Sequence, residues 1–514
     1  MSKTIIIIGA GLAGLSAALQ AAENGCNVKL VSSFPSERAQ SVMAEGGINA
    51  ALNTKDENDS PEEHFTDTIK AACGLADPNA VWGMTQAAPE LVHWLLKLGV
   101  QFNMSGYDNV DLRNFGGQKK KRTAFAQSDT GKQIMTAMID AVRRKEASGM
   151  VERFSHHSFL TLRLCDNICC GCVIRDEYSQ ETVELPGDAV IVATGGMHGL
   201  FGNTTGSLSN TGEVTAELFR LGVPLANGEM IQYHPTTVKC GGKRMLISEA
   251  ARGEGGRLFA MKDGKQWYFM EEKYPELGNL MPRDITAREI WKVSHESEVF
   301  LDMTEISDEI ISNKLSGLAD DCMTYLHKDI RKEPVSVLPG IHYFMGGILV
   351  DEQHRTPIQN LYAAGECCAQ YHGANRLGGN SLLGALYGGR VAANSACEQA
   401  DVVDLSCATQ IDFPPASQIS EIKQLNKVMQ ETMGVVRNEN TLLNGIQTVQ
   451  ALTGNLPLLG MAVLKSALAR KESRGAHWRE DYPKSNDDDY LKTTVARFDG
   501  KQIQISFVPV PERR

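Results

Sequence analysis

The sequence predicts an α/β fold whose main domain is assembled from distant parts of the chain. Three apolar runs, Thr4 to Ile8, Ala189 to Val192 and Leu361 to Ala363, each end in a glycine turn. Such strands with glycine turns are typical of a doubly wound domain, which binds nucleotides where the strands end. Since 514 residues exceed one ordinary core, we expect two or three domains.

The first apolar run carries the most specific pattern. It leads into a loop with Gly9, Gly11 and Gly14, then into helix-favouring residues, and Asn27 to Ser32 form a second predicted strand. This order of strand, glycine loop, helix and strand predicts a Rossmann-type dinucleotide site, because small residues let the pyrophosphate approach the N–H groups at the helix start.

The spacing of these segments predicts the domain bounds. Residues 1–228 and 345–410 form the dinucleotide-binding domain, and 229–344 form an inserted α+β domain. The composition becomes helical from about residue 415 and polar from about residue 475. We therefore predict a helical domain over 411–475 and a polar C-terminal tail over 476–514.

Composition excludes several functional classes. A net charge of −11 and a pI near 5.6 oppose nucleic-acid binding, which needs dense basic surface. Twelve cysteines in a chain of this length do not form a secreted disulfide framework, and Cys169-Cys170-Gly171-Cys172 has no second cluster that would complete a metal site. No run of about 20 apolar residues occurs, so we expect a cytoplasmic protein without direct membrane insertion.

A set of ordered motifs makes the sequence resemble one family. The motifs lie at residues 44–47, 64–68, 115–131, 233–236, 248–255, 282–284, 342–343 and 372–381. In their residues and order they are similar to the fumarate reductase and succinate dehydrogenase flavoprotein family, whose close relative is L-aspartate oxidase. The resemblance implies a Rossmann-type FAD-binding domain, an inserted capping domain and a C-terminal helical domain.

The resemblance also implies FAD as the cofactor and identifies its contacts. The cofactor-binding residues would be Gly9, Gly11, Gly14, Ser32, Ser41, Ala44, Gly46, Gly47, Ala193, Thr194, Gly195, Glu366, Arg376, Asn380, Ser381 and Leu382. Membrane-bound relatives carry a histidine at the position of Gln40, which bonds covalently to the flavin. An amide has no such nucleophile, so we expect non-covalent FAD.

The implied reaction interconverts fumarate and succinate, with hydride transfer from flavin N5. The resemblance implies that Arg283 delivers the proton and that Glu249 and Arg252 return it. An arginine is an unusual acid, because its pKa is above about 12. The substrate-binding residues would be His342 and Arg376 at one carboxylate, His234 and Ser248 at the other, and Phe115 beside them. His64 is expected to be structural or to lie near the flavin.

Two alternatives stay open. L-Aspartate oxidase shares the fold and the cations, but its members carry a glutamate at the position of Phe115 that would bind the substrate ammonium. The chain could also be an electron-transfer subunit that is inactive without an iron–sulfur partner. Because a covalent histidyl bond is thought to raise the flavin potential, its absence at Gln40 favours fumarate reduction over succinate oxidation.

Overall fold

The computed structural model describes residues 2–106, 109–400, 411, 413 and 418–514. The strands are β1 (Thr4–Ile8), β2 (Asn27–Ser32), β3 (Ile48–Asn49), β4 (Met104–Ser105), β5 (Asn109–Val110), β6 (Leu112–Arg113), β7 (Thr123–Ala124), β8 (Val151–Ser155), β9 (His157–Cys165), β10 (Ile168–Asp176), β11 (Thr182–Pro186), β12 (Ala189–Val192), β13 (Leu225–Ala226), β14 (Ile231–Cys240), β15 (Lys243–Leu246), β16 (Arg257–Lys262), β17 (Lys265–Trp267), β18 (Val299–Asp302), β19 (Val335–Ser336), β20 (Leu338–Phe344), β21 (Gly347–Leu349), β22 (Leu361–Ala363), β23 (Cys368–Ala369), β24 (Lys492–Phe498) and β25 (Ile503–Pro509).

The helices are α1 (Leu12–Glu23), α2 (Pro61–Ala71), α3 (Pro78–Leu98), α4 (Thr130–Ala147), α5 (Glu213–Arg220), α6 (Glu249–Gly253), α7 (Phe269–Lys273), α8 (Arg283–Val293), α9 (Asp308–Lys314), α10 (Ser316–Asp321), α11 (Asn380–Gln399), α12 (Ile419–Thr432), α13 (Glu439–Val449), α14 (Asn455–Ala469) and α15 (Asp487–Tyr490).

The main sheet unites the three apolar runs seen in the sequence. Its five strands are parallel, in the order β22-β12-β1-β2-β8. The last four residues of β1 are buried, because helices cover both faces of a doubly wound sheet. Strands 170 or more residues apart therefore end side by side, and the predicted fold class is confirmed.

The insertion has a hydrophobic core of its own. The four-stranded sheet β17-β16-β18-β19 and helices α7 to α10 pack around buried side chains such as Leu258, Ile290 and Leu301. A second sheet, β15-β14-β20, connects this capping domain to the rest of the chain. These features support the proposed bounds of 229–344.

Helices α12, α13 and α14 pack on each other and on the main domain around Leu425, Met429, Leu459 and Val463. They support the predicted helical domain, although its boundary with residues 345–410 falls partly outside the described residues.

The predicted tail over 476–514 is wrong in character. Strands β24 and β25 form an antiparallel hairpin that joins a five-stranded sheet in the order β23-β21-β13-β24-β25. A buried ionic cluster fixes the preceding segment: the guanidinium of Arg470 lies 2.7 Å from Glu229 and 2.8 Å from Glu472, and all three side chains are fully buried. Because a buried charge needs a partner, this segment is part of the folded core.

Two sequence-based expectations concern the cysteine thiols and membrane insertion. Among the eleven cysteines that the structure describes, ten are free thiols, as expected, whereas Cys165 is disulfide-bonded. Within the described residues, no helix combines the length and apolar character that a membrane span requires.

Candidate active site

A cavity of about 530 Å³ lies where β1, β12 and β22 end, beneath the capping domain. Most of the predicted site residues line it, namely Gly9, Gly11, Ser32, Ser41, Ala44, Gly46, Gly47, Phe115, Ala193, Thr194, Gly195, His234, Ser248, Glu249, Arg283, His342, Glu366, Arg376, Ser381 and Leu382. Three do not: Gly14, Arg252 and Asn380. The two halves of the predicted site, one for a dinucleotide and one for a diacid, thus share one continuous space.

The glycine loop is shaped by close backbone approach. Gly9 has φ +110°, and a Cβ atom there would lie 2.3 Å from the carbonyl oxygen of Ala193. A Cβ on Gly14 would lie 1.8 Å from the carbonyl oxygen of Gly9, so Gly14 serves helix–loop packing rather than the cavity. The loop therefore delivers the N-terminus of α1 to the cavity, where its N–H groups favour a pyrophosphate.

Polar groups along this half of the cavity fit a dinucleotide. The hydroxyl of Ser32, at the end of β2, is buried and has no hydrogen-bond partner. A buried hydroxyl without a partner is costly, and a ribose hydroxyl would satisfy it. Ser41 accepts a hydrogen bond from the backbone N–H of Leu12 at 3.2 Å and so orders the start of α1.

Glu366 and the start of α11 complete the cofactor half. One carboxylate oxygen of Glu366 accepts the backbone N–H of Phe344 at 3.1 Å, so part of its bonding capacity is used within the protein. Ser381 and Leu382 occupy the first turn of α11 at the cavity wall, as predicted.

Asn380 and His64 form an internal contact instead. The Asn380 side-chain oxygen lies 2.9 Å from His64 Nε2 and accepts from Asn49 Nδ2 at 2.7 Å. Burial lowers the pKa of His64 to about 3, so the ring is neutral. These contacts support a structural role for both residues.

The opposite half of the cavity is cationic. Helix α8 begins at Arg283, whose Nε and Nη2 lie 2.7 Å and 2.6 Å from the same carboxylate oxygen of Glu249. The other Glu249 oxygen accepts the backbone N–H of Gly116 at 3.0 Å. Burial opposes ionisation of Glu249, but the charges of Arg283 and Arg252 outweigh it and lower its pKa. Glu249 is therefore a carboxylate.

Arg252 lies behind this pair rather than in the cavity. Its Nη2 is 3.5 Å from Glu249, and its Nη1 donates to the backbone oxygen of Asn279 at 2.6 Å. Burial lowers its pKa. Arg283, Glu249 and Arg252 lie in contact in that order and lead away from the cavity, which is the arrangement that the predicted relay would require.

Two histidines face each other at this end. His234 on β14 and His342 on β20 have ring centroids 5.2 Å apart. Burial, followed by the charge of Arg283, lowers both pKa values well below 6.5, so both rings are neutral. Thr205 Oγ1 lies 2.8 Å from His342 Nδ1. A hydroxyl that donates to Nδ1 leaves the Nε2 proton available to a ligand.

Arg376 supplies the remaining cation. Its guanidinium lies 4.3 Å above the Tyr343 ring, and its buried Nε has no hydrogen-bond partner. Burial, followed by the nearby charge of Arg283, lowers its pKa to about 9. At neutral pH the net charge of this group is +2, because the three cations Arg252, Arg283 and Arg376 outnumber the one carboxylate, Glu249. This charge complements a dicarboxylate dianion.

Two residues of the site were missed by the sequence analysis: Glu45, which lines the cavity, and Gln232, which contacts the cavity-lining Arg283. Burial, reinforced by Asp321, raises the pKa of Glu45 to about 8, while a hydrogen bond with Ser248 acts in the opposite direction. Gln232 is fully buried and binds Arg283 through its side-chain oxygen at 3.0 Å. Signals existed for both: Glu45 lies inside the 44–47 motif, and Gln232 lies two residues before His234, on the same face of β14.

The fold and site together define a class: an FAD-dependent oxidoreductase with a capping domain over a doubly wound α/β domain. Residues 4–382 match the FAD binding domain family, and residues 452–513 match the fumarate reductase flavoprotein C-terminal family. The chain belongs to the succinate dehydrogenase and fumarate reductase flavoprotein family, which confirms the resemblance.

Relatives in sequence carry different names within this family. The chain is 38% identical to a succinate dehydrogenase flavoprotein subunit of Bacillus subtilis, with 100% of this chain and 98% of the relative covered. It is 32% identical to the 8-methylmenaquinol:fumarate reductase flavoprotein subunit of Wolinella succinogenes, with 100% and 92% covered. It is 33% identical to an L-aspartate oxidase of Pyrococcus furiosus, with 94% and 97% covered.

Solved structures agree on the fold. The E. coli quinol fumarate reductase subunit FrdA superposes with a TM-score of 0.89 at 27% identity, over 99% of this chain and 97% of that one. Mycobacterium smegmatis Sdh1 gives a TM-score of 0.84 at 29% identity, over 100% and 95%.

Proposed function

We propose that this chain reduces fumarate to succinate, with FAD bound without a covalent link. The observation that carries the proposal is the cationic half of the cavity, where Arg283 and Arg376 stand beside the neutral histidines His234 and His342. A planar dicarboxylate needs a set of hydrogen-bond donors at each end. The cationic half of the cavity offers donors for both carboxylates.

Arg283 is the residue proposed to deliver the proton. Bound FAD supplies a hydride from its reduced ring. Arg283 gives a proton to the alkene carbon that does not receive the hydride. Arg252 then donates a proton to the Glu249 carboxylate, 3.5 Å away, and Glu249 passes this proton to Arg283, which it contacts at 2.6 Å. Full burial of Glu249 and Arg252 keeps bulk water from replacing this ordered route.

The remaining residues orient the diacid. Arg376 and His342 would hold one carboxylate, and His234 and Ser248 the other. Arg376 carries a guanidinium fork whose geometry suits a carboxylate. Phe115 is buried against Gly46, where its ring lies 2.8 Å from the position a Cβ would take, and so it closes one side of the cavity with apolar surface.

Non-covalent FAD is supported by Gln40. This side chain lines the cavity, and its oxygen accepts the backbone N–H of Ser207 at 2.6 Å. The amide oxygen is thus already hydrogen-bonded within the protein, and the amide offers no nucleophile for a flavin carbon. A covalent histidyl bond would raise the flavin potential and so favour succinate oxidation. Its absence favours fumarate reduction.

L-Aspartate oxidation is the second candidate, because the chain is similar to an L-aspartate oxidase. The phenyl ring of Phe115 argues against it, since an ammonium group would meet only a ring face there. Glu45 does not replace the missing acid: burial raises its pKa to about 8, which keeps it mainly protonated at neutral pH.

Electrons are proposed to arrive from an iron–sulfur partner subunit, since several relatives are themselves named subunits. We further propose a cytoplasmic chain that meets a membrane only through such partners, in keeping with ten free thiols and a net charge of −11.

The test compares both directions with the isolated flavoprotein. Fumarate-dependent oxidation of a reduced viologen should exceed succinate-dependent reduction of a dye, and L-aspartate should give neither. A dominant succinate or aspartate activity would overturn the proposal. A filled FAD site with no turnover of any of the three acids would favour an electron-transfer subunit that needs its partner.

A further inference from the structure

Gln232 lies behind the cavity lining and contacts two segments that carry lining residues, Arg283 and Arg376. Its side-chain oxygen accepts from Arg283 Nη1 at 3.0 Å. Its side-chain nitrogen donates to the backbone oxygen of Arg376 at 2.8 Å and to Asn375 Oδ1 at 3.0 Å. A primary amide has two donor hydrogens, so both are used. The residue is fully buried, and its amide therefore has no water to exchange these bonds with.

These contacts join two separate structural units. Arg283 begins α8 in the capping domain, whereas Arg376 lies in the segment between β23 and α11 of the main domain. Gln232 stands near the start of β14, where the chain enters the insertion. Through one amide, the guanidinium of Arg283 is held at a set distance from the backbone that carries Arg376.

The neighbouring bonds make this contact directional. Asn375 Nδ2 donates to Asp284 Oδ1 at 3.1 Å, so its oxygen is turned toward Gln232. A flip of the Asn375 amide would break that bond. The amide of Gln232 thus faces two acceptors on one side and a cation on the other, and only an uncharged donor–acceptor group satisfies all three.

We propose that Gln232 is a positioning residue that sets the separation between the proton-delivering Arg283 and the carboxylate-binding Arg376. The inference rests on the proposed function for the roles of the two arginines. The amide bonds to the capping domain on one side and to the main domain on the other. It therefore fixes the position of Arg283 relative to the diacid that Arg376 would bind.

A glutamate at this position tests the amide with the same shape. An ionised carboxylate has no hydrogen to donate to the Arg376 backbone oxygen or to Asn375 Oδ1. It also places a second negative charge beside Arg283, so Arg283 releases its proton less readily. When that carboxyl is protonated it regains one donor and one acceptor. Activity lost through Gln232→Glu should therefore return as pH falls, whereas Gln232→Met, which loses every bond without adding charge, should show no such return.

The experiment measures kcat and KM for fumarate across pH in the holoprotein, together with equilibrium binding of malonate by calorimetry. Malonate is a dicarboxylate that cannot accept a hydride, so it reports the geometry independently of turnover. We expect Gln232→Glu to lower kcat by about 10- to 100-fold at alkaline pH, since small misplacements of reacting groups cost factors of this size. The loss should shrink in acid, and malonate binding should weaken.

Gln370→Glu is the matched control. Like Gln232, Gln370 is buried behind the cavity lining, but its amide donates to the backbone oxygen of Asp351 rather than to the segment that carries Arg376. It should lose thermal stability for the same reason as Gln232→Glu, yet keep the wild-type pH profile of kcat. If Gln232→Glu instead lowers activity by one constant factor at every pH, with malonate affinity unchanged, the positioning role is wrong.

Failure of the two proposals can be separated. If the unmodified protein does not turn over fumarate, the proposed function fails, while malonate binding in the variants still decides whether Gln232 positions the cations. If the unmodified protein is active and both Gln232 variants match it in kcat, KM and malonate affinity, only the positioning proposal is overturned.

Discussion

Replacement of Arg283 by lysine tests the residue on which the proposed chemistry depends. Arg283 makes three contacts at once: two nitrogens lie 2.7 Å and 2.6 Å from Glu249, and the third lies 3.0 Å from Gln232. A lysine keeps the positive charge but offers one nitrogen on a flexible stem, so it cannot reach both partners with the same geometry. The donor would then lie away from the position over the alkene.

The size of the effect follows from what is lost. A positioned general acid contributes about 10²- to 10⁴-fold, which corresponds to roughly 3–5 kcal/mol of activation free energy. Because the lysine ammonium still neutralises Glu249, the protein avoids the penalty of an unpaired buried carboxylate, which would be about 3–5 kcal/mol of stability. We therefore expect Arg283→Lys to fold, to keep its FAD and to lose nearly all turnover.

The assay is fumarate-dependent viologen oxidation, with FAD content measured by flavin absorbance in the same preparation. Arg288→Lys is the control, because Arg288 lies on the same helix but stacks on Trp478, 4.0 Å from its ring, outside the cavity. The control should retain wild-type activity. Turnover retained in Arg283→Lys would remove Arg283 from the acid role.

Three further outcomes are expected. Burial lowers the pKa of Arg376 to about 9, so its charge is present at neutral pH and is lost as pH rises through that value; KM for fumarate, measured from neutral pH upward, should rise above about 9, and a flat KM would contradict this. Because the amide of Gln40 offers no nucleophile for a flavin carbon, acid precipitation should release all FAD into the supernatant, and flavin that stays with the protein pellet would disprove non-covalent binding. Gly9→Ala places a Cβ atom 2.3 Å from the Ala193 carbonyl oxygen at φ +110°, so the purified variant should lack flavin absorbance; normal FAD content would show that the loop tolerates a side chain.

Much of the fold could be predicted because the signals are local. The strands at Thr4–Ile8, Ala189–Val192 and Leu361–Ala363 are short apolar runs followed by glycine, and buried parallel strands have this composition. That they neighbour each other followed from the general architecture of dinucleotide-binding domains. The cationic site residues came from motifs; in the structure Arg283 and Arg376 line one cavity, and Arg252 lies behind Glu249.

What could not be predicted depends on long-range pairing. Strand β24 is partly exposed and rich in polar residues, and it pairs with β13, about 270 residues earlier in the chain. Because this strand is polar and follows a run of acidic residues, its composition indicated a polar tail rather than a strand. Asn380 stands in a motif beside the cavity, but its side chain turns to His64. A motif gives a residue its place along the chain, whereas the direction of its side chain is set by packing.

The measurement that tests the central claim most directly is an anaerobic titration followed by the absorbance of the bound FAD. The protein is first reduced chemically, and fumarate is then added in stoichiometric amounts; L-aspartate is added separately to the oxidised protein. We predict that fumarate reoxidises the flavin one for one and that L-aspartate leaves it oxidised. A flavin that stays reduced with fumarate but is bleached by L-aspartate would contradict the account.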